Sequence, residues 1–352
     1  MNYYKILFAT IIFTLFVSCK EESKNDSKNE SIEVIDEKIN EEELKYVIDD
    51  SFPIGDIRRY GIRIEGGDPL HPISKKPTTQ TIFEMASKEK IDLFFPKGYY
   101  KFGIYIKGLN GLSVTFDNSE FGGPIYIIEG EEKNESTNIS LKGDFTTYYK
   151  FFSRNCSDID IDNLTIKTDL EKNSAGLRSM GCDIYSGSKY LTFKNLVIED
   201  LGSGSDKYSL SRAALQVHGW NNNPIGLSID KVHIKSSDRH GVYITGKEHT
   251  IGQIIIDKFG VGNINGMKAL EDSDQGESKN ITGVWLNRLT NSHIDEIIIN
   301  TKDSKGKYAV WLDQGNIGEP TIIEQLTLNG GDEKLGVFAD EITNTVVKGI
   351  EK

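Results

Sequence analysis

The feature that most constrains the fold is a short alternating segment that recurs five times in the second half of the chain. In each copy the first and third residues are aliphatic or small and the second and fourth are not, as expected for a half-buried β-strand. The copies align without a gap and occupy residues 215–219, 242–246, 284–288, 310–314 and 337–341. The interval between the second and third copies is the longest, and residues 263–280 in that interval are predicted to be an insertion into a regular repeat.

A second set of short alternating strands lies before and between the copies of the first set. These strands begin at residues 113, 138, 163, 195, 231, 296 and 325, and the central column of the first set extends backwards to Ile184 and Phe152. No amphipathic helix separates the strands, so the pattern predicts an all-β right-handed parallel β-helix. A β-sandwich also uses many short strands, but its strands do not keep several columns in register over five repeats.

Three regions are expected along the chain. Residues 1–19 read as a signal peptide, residues 20–50 as a disordered acidic tether, and residues 51–352 as a single β-helix domain. Residues 81–90 are the best helix candidate and would form a short N-terminal cap over the open end of the core. The segment that begins at Leu93 would then carry the chain into the first turn of the coil.

The N-terminal segment predicts a lipid anchor. An apolar run from Ile6 to Val17 ends in Ser18 and Cys19, which resembles a bacterial lipobox with Cys19 as the lipidated residue; an ordinary signal peptide is the alternative. The following Lys-Glu-Glu resembles the surface-export signal of Bacteroidota lipoproteins. We therefore expect a monomer that is held at the surface or periplasmic face of the outer membrane through its lipid alone.

The charge distribution argues against nucleic acid as a partner. The 352 residues carry a formal net charge of −12, much of it in the tether, so the remainder of the chain is only mildly acidic. Besides Cys19 the chain has Cys156 and Cys182, with no spacing suited to zinc. Whether these two thiols pair is left open by the sequence.

The register of the five repeats places outward-facing residues in three neighbouring columns. The first is mainly aromatic and reads Gln216, Tyr243, Trp285, Trp311 and Phe338. The second is polar and reads His218, Thr245, Asn287, Asp313 and Asp340. The third is mainly basic and reads Arg212, Arg239, Ile281, Lys307 and Lys334. Since parallel strands stack about 4.8 Å apart, five rungs form a ladder of roughly 20 Å, which is long enough for several sugar units.

Two adjacent turns hold the densest polar cluster. Its members are Arg212, Gln216, His218, Trp220, Asp238, Arg239, His240, Tyr243, Lys247 and His249. Arg212 and Arg239 share a column, and two guanidinium groups one rung apart favour an anionic ligand between them. Salt bridges to Asp206 or Asp238 are the alternative for either arginine alone. For the pair together, the sequence favours a carboxylate or sulfate ligand.

An anionic sugar suggests a particular reaction for this cluster. Removing the proton next to a uronate carboxylate requires positive charge at that carboxylate and a base at C5. Arg239 and Arg212 would supply the charge, His218 or His240 the base, and Tyr243 the proton for the leaving oxygen. Lys247 is a second candidate base. The remaining predicted substrate-binding residues are Gln216, Trp220, Trp285, Asn287, Lys307, Trp311 and Asp313.

These features resemble the β-helix polysaccharide lyases, secreted enzymes that cleave uronic acid polymers by β-elimination. The resemblance spans about residues 94–347 and rests on the architecture and on a basic and aromatic groove. It implies a lyase for a uronic-acid-containing polysaccharide or oligosaccharide, with sulfation left open and ulvan as one example, or a dehydratase that removes water from a terminal uronate. Many members of the family hold calcium, for which residues 158–162 and 271–277 are the candidates here. We expect a metal-independent site without a cofactor, with calcium as the alternative.

Two other functions fit the sequence. A β-helix glycoside hydrolase would use paired carboxylates, either Asp313 with Asp340 or Asp238 with one of them. A surface glycan-binding lipoprotein without catalytic activity would need only the aromatic column. The sequence does not separate these functions from elimination.

Overall fold

The computed structural model describes residues 40–199, 213–261, 281–315, 318–330 and 335–351. From Glu41 onward the chain forms one compact unit. The helical elements are α1 Glu41–Leu44, a 3-10 turn Ile57–Tyr60, and α2 Thr78–Glu89. The strands are β1 Leu93–Phe95, β2 Gly98–Tyr100, β3 Ile104–Lys107, β4 Asn110–Phe121, β5 Ile125–Ile128, β6 Ser136–Thr147, β7 Lys150–Arg154, β8 Cys156–Ile166, β9 Gly181–Ile184, β10 Lys189–Ile198, β11 Ala213–Val217, β12 Ser228–Ile234, β13 His240–Lys247, β14 Thr250–Ile256, β15 Thr282–Thr290, β16 His293–Asn300, β17 Tyr308–Leu312, β18 Thr321–Asn329, β19 Val337–Ala339 and β20 Thr345–Glu351.

The strands form two parallel sheets, and the predicted parallel β-helix is confirmed. From β5 onward the strands alternate between the sheets, so each turn of the coil gives one strand to each. The nine-stranded sheet has the order β19-β17-β15-β13-β11-β9-β7-β5-β3. The eleven-stranded sheet runs from β1 and β4 through the even-numbered strands to β20, with β2 also paired to β4. Such a coil places successive turns one above another, so side chains on one face line up in columns.

The predicted register of the nine-stranded sheet is confirmed at the centre of every repeat. Gln216, Tyr243, Trp285, Trp311 and Phe338 follow one another as direct cross-strand partners. The inward aliphatic residues beside the first four of them are buried, which fixes this register because a slip by one residue would expose them, whereas in the last copy Val337 is partly buried and Ala339 is exposed.

The gapless alignment fails at one point. The register shifts between Ile244 and Gly246, and Gly246 pairs with Leu289. Asn287 and Arg288 therefore face the single residue Thr245, which is a β-bulge. The extra residue is accommodated because Arg288 adopts a left-handed conformation with φ of 52°. The bulge turns this part of β15 out of the regular ladder.

Two register predictions for the earlier turns are wrong by one or two residues. Ile184 lies in the central column as expected, but its partner is Ser153, and Phe152 points outward instead. Phe151, its neighbour, is fully buried in the core. In the other sheet Ser113 pairs with Ser140, so the predicted spacing of 25 residues is also shifted. Burial of the larger number of apolar side chains decides the register in both places.

A continuous apolar core fills the coil from the 3-10 turn to β18 and Leu335. Helix α2 covers its N-terminal end, as predicted, and the ring of Phe83 contacts that of Phe95 at 6.3 Å between centroids. Pro77 precedes α2 and gives it no side-chain cap, but Asp68 accepts hydrogen bonds from the backbone and hydroxyl of Thr79. The helix therefore has its first turn satisfied and seals the core from water.

Cys156 and Cys182 are free thiols within this interior. Both side chains are fully buried, and neither forms a disulfide. Burial raises the pKa of the Cys156 thiol to about 11 and that of Cys182 well above its ordinary value. Both cysteines therefore act as small apolar core residues.

The ordered domain begins earlier than residue 51. Residues 41–50, which composition assigns to the tether, include α1 and pack against the cap. Glu43 is 1% exposed and its carboxylate lies 2.7 Å from the Arg59 guanidinium, which is itself buried. Tyr46 and Val47 pack against the core. The charge run did not reveal this segment because its order comes from tertiary contacts, namely one buried ion pair and the packing of Tyr46 and Val47.

Replacing Glu43 by alanine should destabilise the N-terminal cap. The change leaves the Arg59 guanidinium buried without its carboxylate, which costs about 3 kcal/mol in comparable cases. Urea unfolding followed by circular dichroism, with limited proteolysis, would measure the effect. Glu84→Ala is the matched control because its ion pair with Lys76 is exposed and should contribute under about 1 kcal/mol. Equal losses in the two variants would contradict this role.

His249, a member of the predicted polar cluster, is a structural residue. Its Nδ1 accepts a hydrogen bond from the Leu227 backbone at 3.1 Å, and its Nε2 donates to the Thr245 carbonyl at 3.0 Å. Burial lowers the pKa of His249 from 6.5 to about 4. The ring is therefore neutral at physiological pH and links the residue before β12 to strand β13.

The stability of the domain should fall as the pH is lowered from about 6.5 towards 4. In this window the unfolded chain protonates His249 while the folded chain does not, which costs up to about 3 kcal/mol. His249→Gln should flatten this part of the curve of unfolding free energy against pH. His233→Gln is the control, since His233 lies partly exposed beside Asp257. An unchanged slope in His249→Gln would show that another group causes the dependence.

Candidate functional site

A pocket of about 270 Å³ opens on the nine-stranded sheet at the turns formed by β11, β13 and β15. It is lined by His218, Trp220, Asn221, Asn223, Tyr243, Thr245, Trp285, Asn287, Arg288 and Gln314. The lining combines aromatic rings with amide groups and one guanidinium. Such a surface suits a sugar, whose ring has an apolar face and a hydroxylated edge.

Stacked aromatic rings form the floor beside the pocket. The ring of Tyr243 lies 4.7 Å from that of Trp285, and Trp285 stacks on Trp311 at 4.6 Å with the planes 2° apart. Trp285 is only 2% exposed, and its Nε1 donates to Asp313 at 3.0 Å. The two indoles thus pack against each other and form a fixed floor beside the pocket. Trp311 keeps part of its surface exposed.

Trp220 is the most accessible aromatic side chain of the site. It is 81% exposed and adopts a left-handed backbone conformation with φ of 57°, which is costly for a bulky residue. It follows β11 directly after Gly219. An aromatic residue that is both exposed and strained is unfavourable unless a ligand contacts it.

Two side chains lie beside the His218 imidazole, one from its own turn and one from the turn before. The Gln216 amide donates to His218 Nε2 at 2.7 Å, and Asp183 Oδ1 lies 3.3 Å from the same nitrogen. Gln216 is 7% exposed, so it positions His218 instead of contacting a ligand as predicted. The Asp183 carboxylate would stabilise an imidazolium formed when Nε2 takes up a proton.

Tyr243 and Arg288 complete the polar side of the pocket. The Tyr243 hydroxyl accepts a hydrogen bond from Asn287 Nδ2 at 3.2 Å. Arg288 is exposed and lies at the bulge of β15, where its backbone donates to the Gln314 carbonyl at 2.8 Å. The bulge therefore brings a cation to the pocket that contains His218 and Tyr243.

Two predicted catalytic residues do not line the pocket. Arg239 is 2% exposed, with its Nε 4.0 Å from Asp238 Oδ2, and His240 is fully buried. His240 Nδ1 accepts a hydrogen bond from the Thr282 backbone at 3.0 Å. Side chains that are closed off from solvent in this way cannot contact a polymer, so we withdraw the assignment of Arg239 and His240 as catalytic groups. Their sequence neighbours gave no sign of this burial.

Other predicted site residues have different surroundings. Lys247 is about half exposed and pairs with Glu248 at 3.0 Å, outside the pocket lining. Lys307 lies over the Tyr308 ring at 5.1 Å, near the C-terminal end of the aromatic column. Asp313 orients Trp285 and accepts from the Gln314 backbone. Arg212 and the lipidation residue Cys19 lie outside the described residues, so both remain predictions.

Sequence reasoning missed Asn221, Asn223 and Gln314 of the pocket lining, and also Arg288 and Asp183. Arg288 was counted as the end of a regular strand, because a bulge has no signature in a gapless alignment. Asp183 lies in the aromatic column as the cross-strand partner of Gln216. The predicted register placed Phe152 in the inward column, and in that register Asp183 is not its neighbour as it is in the structure. Extending the column with Ile184 alone would have found Asp183.

The acidic run on β8 does not fit a calcium site. Asp158, Asp160 and Asp162 alternate along one strand, so successive carboxylates stand about 7 Å apart along the strand. Asp162 is paired with Lys194 at 2.6 Å. Among the residues that the structure describes, no group of three or more His, Cys, Asp or Glu side chains could hold a metal ion. The second candidate run, 271–277, lies outside them.

Within the described ranges no helix is both long and apolar enough to cross a bilayer. The predicted lipid anchor and the location at the outer membrane stay predictions.

Tryptophan fluorescence should report the geometry of the pocket. The chain has three tryptophans, of which Trp220 is 81% and Trp285 2% exposed. Trp220→Phe should remove most of the emission that acrylamide quenches, because the quencher reaches only exposed indoles. Trp285→Phe is the control and should leave the quenchable fraction in place. If Trp220→Phe retained the full quenching slope, Trp220 would have to be shielded.

Comparison of the chain with models of known protein families, with curated proteins and with solved structures found no match. The chemistry of the site must therefore be inferred from the pocket residues and their contacts.

Proposed function

We propose that the chain is a carbohydrate-active enzyme that cleaves an anionic, uronic-acid-containing glycan by β-elimination. The observation that carries this proposal is the meeting of a partnered histidine, a tyrosine hydroxyl and an arginine in one pocket of the aromatic face. These are the groups that the reaction needs: a base, an acid and a counter-charge for the uronate carboxylate.

His218 is assigned as the base. The Gln216 amide donates to Nε2 at 2.7 Å and so positions the imidazole, and this hydrogen bond must open when the Nε2 lone pair removes the proton from C5 of the uronate. The released electron pair forms the C4–C5 double bond while the bond from C4 to its oxygen breaks. The Asp183 carboxylate, 3.3 Å from Nε2, offsets the positive charge that His218 acquires.

Tyr243 and Arg288 act on the other two centres. The Asn287 amide donates to the Tyr243 oxygen, which orients the hydroxyl so that it can deliver its own proton to the leaving oxygen at C4. The Arg288 guanidinium binds the uronate carboxylate and stabilises the negative charge that builds there. Arg288 thus takes the role that the sequence assigned to Arg239, while the assignment of Arg212 stays a prediction.

Hydrolysis by paired carboxylates has less support. None of the described residues that line the pocket is an aspartate or a glutamate. Asp313 accepts hydrogen bonds from Trp285 and the Gln314 backbone, and Asp340 accepts one from the Ile342 backbone. Both carboxylates are used in holding the ends of strands, so elimination is the better proposal.

The proposal is tested by incubating the protein with polygalacturonate, alginate, ulvan and glycosaminoglycan fragments. A lyase gives ultraviolet absorbance from the new double bond together with shorter chains. A dehydratase gives the loss of one water by mass spectrometry without cleavage. New reducing ends without absorbance would indicate hydrolysis, and binding without any product would leave a glycan-binding protein.

Variants of the pocket residues sharpen this test. On the substrate that reacts, His218→Ala and Tyr243→Phe should each lower kcat by about 100-fold or more, the usual loss for a general base or acid. Arg288→Ala should cost about 100-fold in kcat/KM. His293→Ala and Arg63→Ala are the controls, because His293 lies on the eleven-stranded sheet and Arg63 near the cap. Full activity in both His218→Ala and Arg288→Ala would exclude this pocket as the active site.

A further inference from the structure

The aromatic column does not end at the pocket but continues towards the N-terminal cap. Tyr105, Tyr126 and Phe152 are direct cross-strand partners on β3, β5 and β7. Their rings are in contact, with centroids 5.2 Å apart for the first pair and 5.5 Å for the second. The outward position of Phe152 makes this stretch continuous. We call these three residues the N-terminal ladder.

Two further rings join the N-terminal ladder to the pocket. Phe152 stacks against Tyr185 at 6.1 Å, and Tyr185 lies 4.8 Å from His218. The chain of contacts passes through Tyr185 because the next positions of the column are Asp183 and Gln216. From Tyr105 to Tyr243 the column crosses six strands, or five steps of the parallel-strand spacing, which is roughly 24 Å. This length corresponds to several sugar units in a row.

Positive charge accompanies the N-terminal ladder. The Lys150 ammonium lies 4.5 Å from the centre of the Phe152 ring and 5.2 Å from that of Tyr126. The Lys107 ammonium lies 5.5 Å from the Tyr105 ring. Lysines on flexible stems can keep their contact with the rings and still meet a carboxylate or sulfate at the edge of a sugar. An anionic ligand fits this surface better than a neutral one.

The surface is also accessible. Tyr105 is 38% exposed, and Tyr126 and Phe152 are partly exposed. A depression of about 420 Å³ adjoins the end of the N-terminal ladder, with Tyr105 and Lys107 in its wall. Rings stacked only for packing would not need a concave space at their exposed end.

We infer that the N-terminal ladder is a second stretch of the binding groove, which holds further units of an anionic glycan whose reacting unit lies in the His218 pocket. The inference rests on the proposed function for the position of the reacting unit. The binding of an anionic chain along Tyr105, Tyr126 and Phe152 does not depend on catalysis. It predicts that affinity rises with chain length until the groove is filled.

The test is calorimetric titration of size-fractionated oligogalacturonates and oligoalginates, from disaccharide to octasaccharide, in the His218→Ala background to prevent turnover. The octasaccharide should bind more tightly than the disaccharide. Tyr126→Ala and Lys150→Ala should each weaken octasaccharide binding by about tenfold and reduce the ratio of the two affinities. Tyr126→Phe keeps the ring and should retain the affinity. Lys231→Ala, an exposed lysine on the eleven-stranded sheet, is the charge-matched control and should bind normally.

The outcomes separate this inference from the proposed function. Length-dependent binding that is lost in the Tyr126 and Lys150 variants would support the N-terminal ladder even if the unmutated protein released no unsaturated product. Unchanged octasaccharide affinity in both variants, with thermal melts showing an intact fold, would mean that the rings only pack. Equal affinity for neutral cello-oligosaccharides of the same length would overturn the anionic class. Absence of binding by any uronate oligosaccharide would overturn the inference as well.

Discussion

The parallel register of the nine-stranded sheet is the constraint on which the rest of the structure depends. Each of the strands β11, β13, β15 and β17 buries an aliphatic pair such as Val242 and Ile244, and a slip by one residue would turn these side chains out of the core. Because burial of these side chains sets the register, the residue between each buried pair must point outward. The aromatic column is therefore a consequence of packing the core.

The site lies where this regularity is interrupted. A bulge in β15 adds one residue and brings Arg288 to the pocket, and Trp220 leaves β11 through a left-handed conformation. Both irregularities cost free energy, and the packing of the regular turns on either side offsets this cost. The repeated strand provides a stable platform, while the departures from it provide the polar and exposed groups.

Burial divides the histidines and arginines of the region into enclosed side chains and side chains that face the pocket. His249 and His240 are buried and accept hydrogen bonds from backbone groups, whereas His218 is partly exposed and has a carboxylate beside it. Arg239 is enclosed next to Asp238, whereas Arg288 faces the pocket. The enclosed residues and those at the pocket have the same residue types at similar spacings in the sequence. Only their access to solvent, which the structure gives, distinguishes them.

The sequence by itself determined the fold class, the helical cap, and the register of the C-terminal repeats, because period-two burial leaves a direct trace in the order of residues. It also predicted the aromatic column and the grouping of His218, Tyr243 and Trp220, which line one pocket. Only the tertiary structure decided that Arg288 reaches the pocket, that Asp183 supports His218, and that Phe152 points outward. These relations depend on a bulge, on a one-residue choice of register and on the packing of distant turns, and such long-range contacts leave no local pattern.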